Sequence, residues 1–536
     1  MSRPVLVAVL LAAAACRSVP DVPAVPLYDN LGDHHYAITA ADSTVQRYFD
    51  QGLRLYYAFN HAEAIRAFEE AGRRDPDCAM CRWGVALALG PNINAPMDSA
   101  SGAAAWVAIR DAQSRVSGAS ERERALIDAL VTRYAEVPPA DRSRLDSAWA
   151  TAIGAVAARF PDDPEIATLH AEARMDLSPW NYWNADRTPR PDTRDILATL
   201  ERVLAADSTH PGANHFYIHA VEAIEPERAI AVAERLAELM PGAGHLVHMP
   251  SHIYIRVGRY ADAVAINEHA AHADETWIRD QRPGPGFYLA AYYPHNYDFL
   301  SFAASMLGDR AKTLDAADKD AAAVPRDLLG APGYTLLQHH LTKRLQARVR
   351  FAAWTELLAE PKPVDTLPHA VGMWHYARGR ALAATGDLAA ATTELDALRA
   401  LATDSALAAQ RMEYNSSGAV LGIAVDVLAG FVAHARKDHA AAVSALEAAV
   451  RKEDALTYGE PPEWTVPPRQ DLGVILLAAG RPSDAARAFR EDLAKFPENG
   501  WSLRGLAEAL GSIGKAAEAA EVEARFRKAW AMTDIK

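Results

Sequence analysis

Three histidines lie close together in one apolar stretch, PGAGHLVHMPSHIYIR at residues 241–256. They are His245, His248 and His252, and their spacings of three and four residues place side chains on one face of an α-helix. A neutral imidazole binds zinc, copper, iron or nickel, so such a row presents several metal-binding nitrogens together. The stretch therefore predicts a ligand set, with a peptide-binding surface and plain packing as alternatives.

A second row of the same kind precedes the first. His215, His219 and Glu222 follow the spacing i, i+4 and i+7, which again lies on one helix face. A further candidate is His295, in the segment YYPHNYDFL. Histidines with one carboxylate suit iron, zinc or copper, and the bound ion could activate oxygen or water. Neither HxxxH pair contains the glutamate of the HExxH motif, so zinc-protease chemistry is not indicated.

The elements that position these residues are predicted to be helices. Strand patterns are nearly absent, and alanine-rich segments of 3.6-residue period are separated by glycine or proline. Two phrases recur: a proline near a helix end, as at Pro76, Pro211 and Pro241, and a turn such as VGRYADA. Both are typical of the tetratricopeptide repeat, a helix hairpin with a period of about 34 residues. The sequence predicts an all-α tetratricopeptide-repeat solenoid, whose stacked hairpins share a core and form a concave groove.

The repeat register predicts that the histidines face this groove. If Pro241 closes one repeat, Gly244 opens the next and Gly258 forms its turn, which puts the histidines of this repeat on the groove side, followed by Arg256. The same count puts His215 and His295 at the first groove position of the preceding and following repeats. First helices of neighbouring repeats pack about 8–10 Å apart, so their imidazoles could share one ion.

Other polar residues have supporting roles in this prediction. Asn214, Asn296 and Tyr254 are expected to orient the imidazole N–H groups. Pro250 lies within the predicted helix and either breaks it or marks a later start. His34 and His35 fit a solvated tail better than a part of the site. Several further histidines are interpreted as satisfied or solvated: His269, His272, His339, His340, His434 and His439.

Two other segments have open alternatives. Cys78 and Cys81 in CAMC would permit a disulfide or a metal-binding pair, or are two small half-buried helix residues. The segment YGEPPEWTVPPR at 458–469 is interpreted, by a slight margin, as a helix connection stiffened by proline. The alternative is a loop that folds over the groove, with Glu460, Trp464 and Arg469 as contacts.

The amino terminus predicts a lipid anchor. MSRPVLVAVLLAAAACRS has an early positive charge, an apolar run and a small-residue segment that ends at Cys16. AAAC resembles the lipobox of bacterial lipoproteins, in which cleavage before the cysteine and its acylation attach the protein to a membrane; plain secretion is the alternative. By the same resemblance, Arg17 favours the outer membrane. No later stretch is expected to reach spanning length.

Composition restricts the class of protein and the kinds of partner that the sequence allows. Of 536 residues, half are hydrophobic and 23% are charged, which argues against disorder over most of the chain. The net charge of −14 argues against nucleic acid as a partner. The predicted organisation is a signal peptide at 1–15, an extended tether at 16–40, an amino-terminal repeat array with the histidine-rich groove at 41–280, and a carboxy-terminal array at 281–536.

Four phrases resemble a large bacterial family of envelope tetratricopeptide-repeat proteins. They are FNHAEAIRAFEEAGRRDPDCAMCRWGVALALGPNIN, HPGANHFYIHAVE, HLVHMPSHIYIRVGRYADA and YGEPPEWTVPPRQDLGVILLAAG. The resemblance implies the fold and a place in the cell envelope, at the periplasmic face of the outer membrane, but no reaction.

These observations combine into one functional hypothesis and one alternative. The sequence predicts a membrane-tethered solenoid whose groove holds a transition metal, iron, copper or zinc. If it is an enzyme, it is a metal-dependent oxidoreductase or hydrolase. The alternative is an interaction scaffold that binds a peptide or envelope partner in the groove without catalysis.

Overall fold

The chain folds as stacked helix hairpins. The computed structural model describes residues 25–184, 186–331 and 334–531. Within these residues there are twenty-six α-helices and no β-strand, only three isolated β-bridges. Helices adjacent in sequence pack against each other in pairs, and each pair packs on the next. The prediction of an all-α tetratricopeptide-repeat solenoid is confirmed.

The first thirteen helices carry the predicted metal ligands of residues 215–252. They are α1 (Ser43–Tyr57), α2 (His61–Arg74), α3 (Ala79–Ala88), α4 (Ser99–Ser114), α5 (Glu121–Val131), α6 (Ser143–Arg159), α7 (Pro164–Met175), α8 (Pro191–Ala206), α9 (Pro211–Val221), α10 (Ile230–Leu239), α11 (Gly244–His248), α12 (Pro250–Arg256) and α13 (Tyr260–Gln281). Short 3₁₀ turns occupy Val116–Gly118 and Pro226–Ala229.

The remaining helices complete the array after a π-helical turn at Tyr288–Tyr292. They are α14 (Tyr293–Met306), α15 (Arg310–Ala323), α16 (Leu336–Arg350), α17 (Trp354–Ala359), α18 (Pro368–Thr385), α19 (Leu388–Ala402), α20 (Ser405–Ala409), α21 (Ser417–Ala435), α22 (His439–Asp454), α23 (Pro468–Ala478), α24 (Pro482–Lys495), α25 (Gly500–Ser512) and α26 (Ala516–Ala529). A 3₁₀ turn occupies Arg326–Leu328.

Local sequence explains where the helices begin and turn. The Asp42 carboxylate accepts hydrogen bonds from two backbone N–H groups at the start of α1. Pro211 begins α9 instead of closing α8, because proline suits the first helical position, where no intrahelical N–H bond is lost. Gly258 and Gly308 follow α12 and α14 with φ of +76° and +73°, the left-handed turn expected of glycine there.

Pairs of glycines allow neighbouring hairpins to approach closely. The ring of Phe68 in α2 lies between Gly52 of α1 and Gly84 of α3, and a Cβ atom on Gly84 would come within 2.5 Å of that ring. The carboxy-terminal array repeats the arrangement around Phe489, with Gly473 and Gly505 on either side. In each case the two glycines leave space for an aromatic ring that packs between three helices.

Residues 25–40 are extended but do not hang free. Leu31 and Tyr36 are buried. His34 Nε2 lies 3.0 Å from Glu165 Oε2, and Thr39 Oγ1 donates to Glu123 Oε2 at 2.7 Å. The solvated-tail interpretation is therefore wrong for His34, because the segment fills a seam between α1 and α7. The predicted signal peptide and Cys16 lie outside the described residues.

The carboxy-terminal helices fold back onto the middle of the chain. Trp501 in α25 donates its Nε1–H to the carbonyl of Ser305 at 2.7 Å, and Trp530 donates to Met306 at 3.2 Å. Phe496 belongs to the larger hydrophobic core, which otherwise extends from Val25 to Ala316. A second core extends from Leu345 to Val522.

Helix α21 corrects one expectation about membrane segments. Among the described residues it is the one helix long and apolar enough to cross a bilayer, by length and composition alone, and 44% of that window is buried. The expectation that no later stretch reaches spanning length was therefore wrong. In the structure α21 packs against α18, α19 and α22, and its buried side chains belong to the second core.

The glycine–phenylalanine joint predicts a specific overpacking effect. Gly84→Ala should lower the free energy of unfolding by about 1–3 kcal/mol, because the new methyl group collides with Phe68. Gly422→Ala in α21 is the control, since its Cβ atom would meet nothing closer than 3.7 Å. That variant should be neutral or more stable by up to about 1 kcal/mol. Urea unfolding measures both, and equal losses would contradict the packing explanation.

Candidate metal centre

The structure brings all seven predicted metal ligands together in the groove. None of them is more than 9% exposed. Their ligand atoms form overlapping sets of three, and within each set all atoms lie within 4.8 Å of one another. The seven residues are His215, His219, Glu222, His245, His248, His252 and His295. Their role as metal ligands remains a prediction.

The two helices that carry the central histidines, α11 and α12, are joined at Met249 and Pro250 without a loop. Met249, between α11 and α12, has helical φ and ψ of −50° and −37°. Pro250 takes the first position of α12, and the His252 N–H donates to the Met249 carbonyl at 3.2 Å. His245 and His248 therefore lie on the helix and not on a loop, and they face the same side as His252.

The first cluster of histidines, called triad 1, consists of His215, His219 and His245. His215 Nδ1 lies 2.7 Å from the backbone carbonyl of Tyr57. Because a carbonyl only accepts, Nδ1 carries the proton and Nε2 carries the lone pair. This Nε2 lies 3.1 Å from Nε2 of His219. Neither ring nitrogen of His245 has a hydrogen-bond partner.

Triad 2 consists of His248, His252 and His295 and has the same construction. His248 Nδ1 lies 2.6 Å from Asn267 Oδ1. The amide nitrogen of Asn267 donates to the Ala263 carbonyl, which fixes the amide oxygen as the acceptor for His248. His248 Nε2 therefore carries the lone pair, and it lies 2.9 Å from Nε2 of His252. The ring of His295 lies 4.9 Å from that of His248.

Glu222 lies between the two triads. Its Oε2 is 2.9 Å from His252 Nδ1 and 3.4 Å from His219 Nδ1. Neither contact has the alignment of a hydrogen bond, and both carboxylate oxygens lack a hydrogen-bond partner. Buried carboxylates are normally paired or hydrogen-bonded, so this is an unusual environment for one.

Burial controls the protonation of the histidines. It lowers the pKa of His219, and it lowers the pKa values of His215, His245, His248 and His295 well below the ordinary value. Burial also opposes a charge on His252, but the Glu222 carboxylate raises the pKa of His252 to about 9. At neutral pH, five imidazoles are therefore neutral and carry lone pairs, which is the form that binds metal ions.

Two aromatic residues in strained backbone conformations pack on triad 1. Phe59 follows α1 at the turn position that glycine occupies after α12, with φ of +55°. Its ring contacts His215, at 4.5 Å between centroids, and His245, at 5.5 Å. Trp180 has φ of +64° and packs edge-on against His219 at 5.0 Å. Such strain often marks functional sites. The sequence signal for Phe59 was the turn FNHAEA, which has phenylalanine where the corresponding turn after α12 has glycine.

The segment 458–469, called the strap, covers the groove above triad 2. Glu460 Oε2 lies 3.5 Å from His252 Nδ1, and Glu460 Oε1 lies 3.4 Å from Arg256 Nε. Glu463 accepts hydrogen bonds from the backbone N–H groups of Tyr414 and Asn415. The segment is therefore a loop folded over the groove, as in the alternative to the slightly favoured helix connection, but of its three expected contacts Glu460 alone is confirmed. Trp464 packs against Tyr376 in the second core, and Arg469 pairs with Asp454.

The residues expected to orient the imidazoles were misassigned. Asn214 donates to the carbonyls of Ser208 and His210. Asn296 donates to Asp274, and Tyr254 lies under the Arg259 guanidinium. The groups beside the ring N–H atoms are instead the Tyr57 carbonyl, Asn267 and Glu222. Asn267 lies on the second helix of its hairpin, whereas the repeat register assigns groove positions only to the first helix.

Other histidine groups have different roles. His210 Nδ1 accepts from the Ala213 N–H, so its proton lies on Nε2, 3.4 Å from Glu165. This group, with His34, anchors the amino-terminal segment. His340 is satisfied by Asp320 at 2.8 Å, as expected. His269 and His272 are exposed, as expected. The expectation is wrong for His339, His434 and His439, each of which has a buried ring nitrogen without a hydrogen-bond partner.

The CAMC motif forms a disulfide. Cys78 and Cys81 are bonded to each other at the start of α3, and both are buried. Of the alternatives left open by the sequence, the disulfide is the one that the structure contains.

Comparison with known proteins gives no information on function. No protein-family model and no curated protein matches the sequence. Among solved structures, the chain is similar to a human IFIT1 dimer with m7Gppp-AAAA, at 12% identity over 93% of this chain and 91% of that one, with a TM-score of 0.31. It is also similar to the APC/C hetero-tetramer Cut9–Hcn1, at 12% identity over 87% and 76%, with a TM-score of 0.33. A third is the P58(IPK) TPR domain, at 10% identity over 88% and 99%, with a TM-score of 0.22.

The anchoring of the strap can be tested by removing one carboxylate. Glu463→Ala deletes the acceptor for two backbone N–H groups and for the Asn415 side chain, at 2.7 to 3.2 Å. Hydrogen bonds to a charged group contribute about 1.5–3 kcal/mol, so cleavage within 458–466 by a protease should accelerate roughly tenfold or more. Glu508→Ala, an exposed carboxylate on α25, is the control. Unchanged cleavage in both variants would show that Glu463 does not hold the strap.

Proposed function

We propose that this protein is a metal-binding tetratricopeptide-repeat protein of the bacterial cell envelope. The groove histidines would hold a transition metal, and the chain would be attached to a membrane through Cys16. A bound ion would supply Lewis-acid or redox chemistry. Metal-dependent oxidoreductase or hydrolase activity is the corresponding class of reaction if the protein is an enzyme.

The observation that carries the proposal is the position of His219 between two acceptors. Its Nε2 faces the lone pair of His215 Nε2 at 3.1 Å, and its Nδ1 faces Glu222 at 3.4 Å. A neutral imidazole has one proton and cannot satisfy both neighbours. A cation bound at the Nε2 atoms removes the conflict, because the His219 proton then lies on Nδ1, the nitrogen that faces the carboxylate. Carboxylate–histidine–metal chains of this kind are a common feature of metal sites.

The donor atoms favour some metals over others. Six imidazoles and a buried carboxylate suit zinc, copper, iron or nickel, whereas magnesium and calcium prefer oxygen ligands. The fit is supported by His245, because a buried imidazole with neither nitrogen bonded is costly unless a ligand uses one of them.

The scaffold alternative has less support at this part of the groove. A peptide would need groove side chains that it can reach, yet the strap lies over triad 2 and Trp180 lies over triad 1. The buried histidines already contact one another and the surrounding rings, so a peptide would have to displace protein groups before binding them.

Metal content tests the proposal. Protein purified without a histidine tag should carry zinc, copper or iron in stoichiometric amount, or take it up after chelation. A double variant, His219→Ala with His248→Ala, should lose the metal because it removes one nitrogen from each facing pair. His269→Ala with His272→Ala, two exposed histidines of α13, is the control and should keep it. Elemental analysis measures both, and folded wild-type protein that binds none of these metals would refute the proposal.

The envelope location has a separate test. Cys16→Ser should move the protein from the membrane fraction to the soluble fraction, because the acyl chains that would anchor it require the cysteine thiol. Labelling with a radioactive fatty acid checks the modification directly. Membrane association that survives the substitution, or an unlabelled wild-type chain, would refute the lipid anchor without affecting the metal proposal.

A further inference from the structure

We propose that the centre binds two transition-metal ions, one in each triad, and that Glu222 is their shared anchor and not a ligand. This inference rests on the proposed function and goes beyond the single shared ion that the sequence suggested. It makes the cofactor a pair of ions with three imidazoles each.

The two triads have the same architecture, one repeat apart. Each begins with a pair of histidines four residues apart on one helix, His215 with His219 and His248 with His252. Each is completed by a histidine near the start of the next groove helix, His245 for triad 1 and His295 for triad 2. Stacked repeats build similar surfaces in succession, so the array repeats the site as it repeats the fold.

The facing nitrogens have the separation of two ligands on one ion. Two nitrogens bound at about 2.05 Å lie about 2.9 Å apart at a right angle and about 3.3 Å apart at the tetrahedral angle. The observed Nε2–Nε2 distances are 3.1 Å in triad 1 and 2.9 Å in triad 2. In each pair, one imidazole donates its Nδ1–H to a fixed acceptor, Tyr57 O or Asn267 Oδ1, so its Nε2 is available.

The surroundings separate the triads into two subsites. The Phe59 ring packs on all three histidines of triad 1, and the Phe299 ring packs on all three of triad 2. Among the described residues, the one compact ligand set that joins the triads is His219, Glu222 and His252. In this set, His219 and His252 face Glu222 with their Nδ1 atoms, and not with the Nε2 atoms that face the other histidine of each pair.

Glu222 fits the role of a common anchor. Its carboxylate lies beside the Nδ1 atoms of His219 and His252, which belong to different triads. It would orient both rings, make both more basic, and put one negative charge between two cations. A single ion bound at Glu222 would instead use those Nδ1 atoms, and the two facing Nε2 pairs would then have no role.

Counting ions in variants that leave Glu222 in place tests the inference. Metal-free protein is titrated with Zn²⁺ or Cu²⁺, and native mass spectrometry counts the ions bound per chain. Variant A is His215→Ala with His245→Ala, and variant B is His248→Ala with His295→Ala. Both retain His219, Glu222 and His252. The expected counts are two for the wild type, one each for A and B, and none for the four-residue combination.

Other counts overturn the inference and identify what replaces it. One ion in the wild type, lost in either variant, would indicate a single shared ion, and the proposed function would stand. One ion retained in all three variants would place it at Glu222. No ion in folded wild type would refute the proposed function as well. If an alanine pair unfolds by circular dichroism, the same positions are changed to glutamine, which fills the space of the ring.

Glu222→Gln separates an anchor from a ligand. The amide oxygen can accept from one imidazole, so two ions should still bind, with an affinity reduced about 10- to 100-fold. Loss of one of two ions, or of a single ion, would make Glu222 a ligand and overturn the assignment. Glu227→Gln, at an exposed carboxylate in the turn after α9, is the matched control outside the site. It should leave the count at two.

Discussion

The structure depends on one constraint, the burial of the Glu222 carboxylate among imidazoles. Removing a charge from water is unfavourable unless a nearby opposite charge and hydrogen bonds compensate for it. Glu222 has no hydrogen bond, and its nearest groups are the Nδ1 atoms of His219 and His252. Positive charge compensates for the buried carboxylate: His252, whose pKa is raised beside Glu222, supplies some of it, and the proposed ions would supply more. The strap and the two aromatic turns at Phe59 and Trp180 cover this site.

The repeat fold itself positions the residues of such a site. Consecutive hairpins bring residues near 215, 250 and 295 into one groove, because each hairpin packs on its neighbour. The second helices and the loops then add what the groove face lacks: Asn267 from α13, the Tyr57 carbonyl from the end of α1, and Glu460 from the strap. Hydrogen bonds from the Tyr414 and Asn415 N–H groups to Glu463 hold the strap in position.

Local patterns made much of this predictable from the sequence. The i, i+4 spacing of His215 with His219 and of His248 with His252 depends only on helix geometry, and turn glycines such as Gly258 set the register. Long-range contacts were not predictable in this way. Glu460 and His252 are about two hundred residues apart in the chain, so no local pattern indicates their contact. The proline content of 458–469 therefore suggested a helix connection, and not a strap over the groove. The docking of His34 against Glu165 likewise depends on a surface that other helices build, and Asn267 lies outside the groove positions that the count considered.

The division between fold and site is also visible in these residues. Helix periodicity determines which residues share a face, but the proton positions on each ring depend on acceptors from other elements. Tyr57 O and Asn267 Oδ1 fix the tautomers of His215 and His248, and with them the direction of each lone pair.

The most direct measurement of metal binding is anomalous X-ray diffraction at the absorption edge of the metal that the protein carries. An ion bound in triad 1 should give a peak about 2.0–2.1 Å from the Nε2 atoms of His215 and His219. Crystals of metal-treated protein with ordered histidines and no anomalous peak in the groove would contradict the proposed metal binding.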